Sequence, residues 1–246
     1  MSHFFVNSSQ ITADVLTIVG DDVNHMKNVL RMRNGEAFTA ADENGIFYHC
    51  EVELLEKEQV TAKILNQEQG GSELSSKIYL FQGLPKSDKM ELIIQKAVEL
   101  GAYEIVPVAT KRAIVKLDAK KEASKLKRWQ AIAEGAAKQS GRMMIPRISE
   151  VKTFGEALQM AKELDVNVIP YECARGMDGT REIFSGIKPG MSVGIFIGPE
   201  GGWEESEVEK AKELDVKPVT LGRRILRTET AGLTTLSILM YLLEES

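Results

Sequence analysis

The run SVGIFIGPEGGWEESE, residues 192–207, decides the fold. SVGIFI is an apolar stretch of strand length. GPEGG is turn chemistry, and EESE suits the first turn of a helix, whose N-terminus favours negative charge. An apolar strand that passes into a helix through a glycine loop is the unit of an α/β domain with a parallel sheet buried on both faces. Ligands of such sheets bind beyond the carboxyl ends of the strands. Glycine there allows positive φ and close approach to the backbone. GPEGG has neither the Lys-Ser/Thr of a P-loop nor Rossmann glycine spacing, and Glu200 would repel a phosphate. By itself the loop also reads as a plain tight turn.

The same rhythm extends on both sides. KIYLFQGL, EIVPVAT, VNVIPYE and KPVTLG read as strands, and 86–100, 123–140, 154–164, 204–214 and 228–245 as helices. The small polar run GGSELSS, 70–76, reads as a linker. Before it, short alternating strands are separated by Asn34-Gly35 and Asn44-Gly45. One helix interrupts them at 21–32, with Val23, Met26, Val29 and Leu30 on one face. The expectation is a small β-barrel over 1–72 and an α/β domain over 73–246.

Composition narrows the classes. With 246 residues, 43% hydrophobic and 27% charged, the chain has the make-up of an ordinary globular protein. Two cysteines, Cys50 and Cys173, and three histidines give no disulfide framework or metal site. The apolar run 236–243 is too short to span a bilayer and no secretory leader is visible, so a cytoplasmic protein without membrane contact is expected. The net charge of -5 does not advertise nucleic acid. Charge is nevertheless uneven: residues 111–147 hold eleven Lys or Arg against three acids. That stretch is either a solvated face or a surface that tracks phosphates.

The second informative run is LGRRILRTETAG, 221–232. It too leaves a strand and opens a helix, with Thr228 and Thr230 as candidate N-caps. Arg223, Arg224 and Arg227 beside so apolar a segment suit a site that handles an anion. Ion pairs with the acidic helix at 204–214 are the plainer explanation.

Together, IGPEGGW and LGRRILRTETA resemble the paired signature of the SPOUT class of S-adenosylmethionine-dependent RNA methyltransferases. More closely they resemble the ribosomal small-subunit methyltransferase E family, which forms N3-methyluridine in 16S rRNA. His25, Val29, Leu30, Arg31 and Gly35 match its N-terminal motif, and Trp129, Glu134, Gln139, Ser140, Arg142 and Pro146 its basic-helix pattern. The resemblance spans essentially the whole chain. It implies an N-terminal PUA-like β-barrel that binds RNA, a SPOUT domain whose C-terminal segment threads a trefoil knot, and a homodimer. It also implies that S-adenosylmethionine sits in a pocket of three parts. Tyr171 and Glu172 form one. Gly198, Pro199, Glu200, Gly201 and Gly202 form the second. Leu221, Gly222, Arg224, Ile225, Leu226 and Thr230 form the third. The family usually has Ser or Thr where this chain has Glu204, a weaker helix cap.

Methylating uridine N3 requires loss of its proton, which leaves negative charge on N3, O2 and O4. A fixed cation near that charge lowers the barrier. Arg227, where the loop meets the last helix, is the first choice, with Glu229 to orient it or accept a proton. His25, Lys27, Arg31 and Arg33, with Lys27 and Arg31 on one helical face, are candidate RNA contacts, as are Lys86, Arg112 and Arg142. The target implied is 16S rRNA in the assembled small subunit. A non-catalytic ribosome-associated RNA-binding protein, or a SPOUT enzyme with another RNA target, remains open.

Overall fold

A computed structural model describes residues 2–69, 71–115, 117–172, 174 and 176–244; Gly70, Cys173 and Glu245 lie outside them. The chain divides into two compact units, Met1–Glu73 with Ala137–Ile145, and Leu74–Ala136 with Pro146–Ser246. The end of the basic helix therefore counts with the first unit, and a single cut after residue 72 does not describe the division.

The first unit is a six-stranded curled sheet. Its spatial order is His3–Val6, Ala37–Asp42, Ile46–Leu55, Gln59–Gln69, Val15–Val19 and Ile11–Thr12. The first pair is parallel and the others antiparallel. Alternate side chains of every long strand meet in one core that holds Phe4, Leu16, Ile18, Phe38, Val52 and Val60. Cys50 lies in the same core, where burial pushes its thiol up to about 12. Turn chemistry sets the register: buried Asp42 accepts from Asn44 N (2.9 Å), Ile46 N (3.0 Å) and Tyr48 Oη (3.0 Å) around Gly45, whose φ is +74°.

The helix expected over 21–32 is shorter and irregular. An α-helix, Asp21–Asn24, runs into a π-helical turn, His25–Val29, and Arg31 has a left-handed φ of +54°. The wider turn faces only Val23 and Met26 inward, and Val29 and Leu30 are exposed. Lys27 and Arg31 consequently share no regular helical face. Residues 71–76 of the expected linker are tied down. The Glu73 carboxylate accepts from Met143 N (2.9 Å) and Met144 N (3.3 Å) and pairs with the buried Arg142 guanidinium.

The second unit is built on a parallel sheet in the order Lys152–Thr153, Glu104–Ala109, Lys77–Gly83, Ser192–Ile197, Val166–Pro170, Val216–Val219, with Arg147–Ile148 also on Glu104–Ala109. Its central strands are buried along most of their length, as apolar strands covered on both faces should be. Phe81 and Phe196 are register partners whose rings stack at 4.4 Å. The helices are Lys89–Glu99, Ala119–Ser140, Phe154–Ala161, Glu205–Glu213 and Thr228–Leu243. A further helix, Met177–Gly186, was not expected. No helix among the described residues is long and apolar enough to cross a membrane.

Candidate active site

Because the sheet is parallel, Val166–Pro170, Ser192–Ile197 and Val216–Val219 all end at one edge. Their following loops line a cleft of about 480 Å³, a volume that suits a small-molecule site. The sequence-predicted residues Tyr171, Glu172, Gly198, Pro199, Glu200, Gly201, Gly202, Leu221, Gly222, Arg224, Ile225 and Leu226 are all on its wall, with Arg223 and Arg227. Thr230 is not: it is exposed and points elsewhere on the last helix. Glu229 does not line the cleft either.

Backbone geometry explains the glycines. A Cβ on Gly198 would stand 3.2 Å from Gly202 C and 3.3 Å from Trp203 Cε2. Gly202 and Gly222 have φ of +66° and +110°, which other L-residues resist. The loop also rests on Gly83, where a Cβ would meet Pro199 Cδ at 2.7 Å and Pro199 N at 2.8 Å.

Thr228 proves to be a staple and not a cap. Arg227 occupies the N-cap position of the last helix. Thr228, buried, donates from Oγ1 to Gly198 O (2.6 Å) and accepts from Gln82 Nε2 (2.8 Å). One hydroxyl so joins a central strand, the glycine loop and the last helix. Gln82 and Thr228 lie 146 positions apart, and no local sequence signal marks the pairing.

A second brace comes from the segment after Glu104–Ala109. Arg112 Nη1 donates to Gly201 O (3.0 Å), and Lys111 N donates to Glu207 Oε1 (3.1 Å). The other oxygen of buried Glu207 accepts from Glu204 N (3.0 Å), so the start of that helix is held from its third residue despite the missing Ser or Thr.

Charge inside the cleft is paired on one side and unpaired on the other. Glu200 accepts from Lys86 N (3.1 and 3.2 Å) and from Lys89 Nζ (3.0 Å). Burial would raise its carboxyl, but the Lys89 ammonium and the backbone N–H groups of Glu200 and Lys86 hold it below the usual carboxylate range. Lys89 Nζ also lies 3.4 Å from Glu229 Oε2. The Glu200 hydrogen bond, with Glu229, lifts the lysine above its ordinary value. Glu229 thus engages Lys89, and it does not orient Arg227. Among the described residues no carboxylate pairs with Arg223, Arg224 or Arg227, so the ion pairs envisaged with the acidic helix are absent. Three exposed guanidiniums remain at the cleft.

The candidate RNA contacts fall apart into groups. His25, Arg31 and Arg33 are exposed, and Lys27 is half-buried with Nζ on Glu56 O (2.6 Å). Lys86 is exposed beside the glycine loop, and Arg112 braces that loop. Arg142 is corrected: with its side chain 4% exposed and paired to Glu73, it is a structural residue of the first unit.

Comparison with known proteins agrees with this geometry. A family model described as an RNA methyltransferase domain matches residues 72–240, and one described as an RNA methyltransferase PUA domain matches 18–65. Ribosomal RNA small subunit methyltransferase E of Bacillus subtilis is 40% identical over 232 residues, covering 93% of this chain and 91% of its own. The enzyme of the same name from Mesomycoplasma hyopneumoniae is 35% identical, covering 96% and 98%. The crystal structure of the Neisseria gonorrhoeae enzyme bound to S-adenosyl methionine superposes with a TM-score of 0.83 at 34% identity, covering 98% of both chains. Matched in both units and at this identity along nearly its whole length, the chain belongs to the ribosomal RNA small subunit methyltransferase E family.

Proposed function

We propose that the protein transfers a methyl group from S-adenosylmethionine to N3 of a uridine in 16S rRNA. The observation that carries this reading is the pairing of a glycine loop with an unpaired arginine loop at one edge of the parallel sheet. The cleft fits the cofactor. It offers apolar side chains of Ile197, Leu221 and Leu226 for a base, the Glu172 carboxylate for hydroxyl or amino groups, and backbone exposed at Gly198 and Gly202. When bound, the cofactor supplies an electrophilic methyl on a sulfonium. The chain's own part is to hold the uracil and to favour its N3 anion. Arg227 lines the cleft with its charge uncompensated, and a guanidinium presents paired donors to O2 or O4 as charge develops there.

Several finer features belong to the same reading. The C-terminal segment threads a trefoil knot: Ser192–Ile197 inserts between two earlier strands, and 221–228 returns to the loop that follows it. The active form is a homodimer, supported by the exposed Ile238, Tyr241 and Leu242 on the last helix and Leu92 on Lys89–Glu99. The PUA-like unit binds RNA through His25, Lys27, Arg31 and Arg33. The substrate is the assembled small subunit, in the cytoplasm.

The test is methyl transfer from radiolabelled S-adenosylmethionine to unmodified small subunits, with free rRNA and bulk tRNA alongside. Label in the subunits as N3-methyluridine is expected. Label in tRNA or on ribose would sink the substrate assignment, and no label with no cofactor bound in calorimetry would leave a non-catalytic RNA-binding protein. Arg227→Ala should lower kcat about a hundredfold or more with cofactor Kd nearly unchanged. An equal loss in both would make Arg227 a structural residue.

A further inference from the structure

Lys89 is oddly placed for a lysine. It is the first residue of Lys89–Glu99, where the helix dipole disfavours a cation. Its side chain is only 29% exposed and lines the cleft. What holds it there is a carboxylate on each side. Glu200 belongs to the glycine loop, and Glu229 stands two residues beyond Arg227 on the last helix. Glu200 is fixed independently by Lys86 N. Glu229 Oε2 is buried and has no hydrogen bond in normal geometry, so its compensation comes from the Lys89 charge. Remove the ammonium and two half-buried carboxylates, 25% and 17% exposed, are left without their shared cation.

We propose that Lys89 is a positioning residue of the methyl-transfer site: its ammonium draws Glu200 of the cofactor loop and Glu229 of the last helix to one point, and so ties the seat of the cofactor to the seat of Arg227. The inference rests on the assignment of the cleft to S-adenosylmethionine and of Arg227 to the uridine. The ammonium stands 3.0 Å from Glu200 Oε1 and 3.4 Å from Glu229 Oε2, so one charge serves both carboxylates. Lys89 is no general base, because its partners keep it protonated. It acts through the residues it holds. A misplacement of about 1 Å at a reacting centre is enough to cost two orders of magnitude in rate.

The experiment compares Lys89→Met and Lys89→Arg with Glu200→Gln, Glu229→Gln and the two double variants that contain Lys89→Met. Cofactor Kd is read by calorimetry without RNA, and kcat and KM on small subunits. Lys89→Met should weaken cofactor binding several-fold and lower kcat about tenfold to a hundredfold. Adding Glu200→Gln should cost little more in Kd, and adding Glu229→Gln little more in kcat, because each pair acts as one unit. Lys89→Arg should keep both parameters within about threefold, since it keeps the charge. Three results would overturn the proposal. The paired losses would multiply independently, Lys89→Arg would be as damaged as Lys89→Met, or Lys89→Met would shift only the melting midpoint. A wild-type protein that neither binds cofactor nor transfers methyl would instead sink the function beneath it.

Discussion

Gly83 shows how much of the site depends on a hydrogen where another residue has a carbon. It ends a buried strand and lets Pro199 come within 2.8 Å of where a Cβ would be, so the glycine loop lies flat against the sheet. Gly83→Ala should push that loop outward, with about 1–3 kcal/mol lost in unfolding experiments and cofactor affinity reduced tenfold or more in calorimetry. Unchanged affinity would mean that the loop tolerates the shift. The glycines of GPEGG were legible because they sit inside the loop they serve. Gly83, Gln82, Lys89 and Thr228 were not read in these roles, because each acts on a partner far away in sequence. By residue type and place Thr228 suits a helix cap equally well. Arg142 failed in the opposite direction: a basic residue in a basic stretch looked like an RNA contact, and burial against Glu73 decided otherwise.

At the scale of elements, the strands of the second unit were legible because they are short, apolar and bounded by turn residues. Helix Met177–Gly186 was not. MDGTREIFSG carries two glycines and only a few apolar residues, and it is held by tertiary contacts: Phe184 is buried, and Thr180 Oγ1 accepts from Thr220 N at 3.0 Å. Residues 71–76 misled in a similar way. Their small polar composition suggested a loose linker, yet Ser72 Oγ donates to Gly141 O (2.7 Å) and Glu73 holds two backbone amides and a guanidinium. Arg142→Met should therefore destabilise the first unit by about 3 kcal/mol in denaturant unfolding, since it strands a carboxylate whose partner was buried. A loss under about 1 kcal/mol would show that Glu73 is satisfied by the amides alone.

The whole molecule carries a net charge of -5 and still has to meet a polyanion. The exposed Lys120 and Lys127 of Ala119–Ser140, with Arg31 and Arg33, are cations that no carboxylate pairs with among the described residues. Binding to small subunits should accordingly weaken by about a hundredfold as salt rises from roughly 50 to 200 mM, while cofactor Kd changes far less. A flat salt response would move recognition away from phosphates. At this scale the sequence pattern conveys a change from short alternating strands to apolar strands that alternate with helices. The order in which strands insert into the sheet is not a periodic property of sequence, so no pattern of apolar residues announces it.

The buried Cys50 turns the first unit into its own reporter. A thiol 1% exposed and raised to about 12 is closed to alkylating reagents while the curled sheet is intact. Any modification at Cys50 near neutral pH therefore counts openings of that unit at its core, without an added label. Pulsed alkylation read by mass spectrometry would give the free energy of opening directly, and its change on adding rRNA would measure how firmly the RNA clasps the sheet shut.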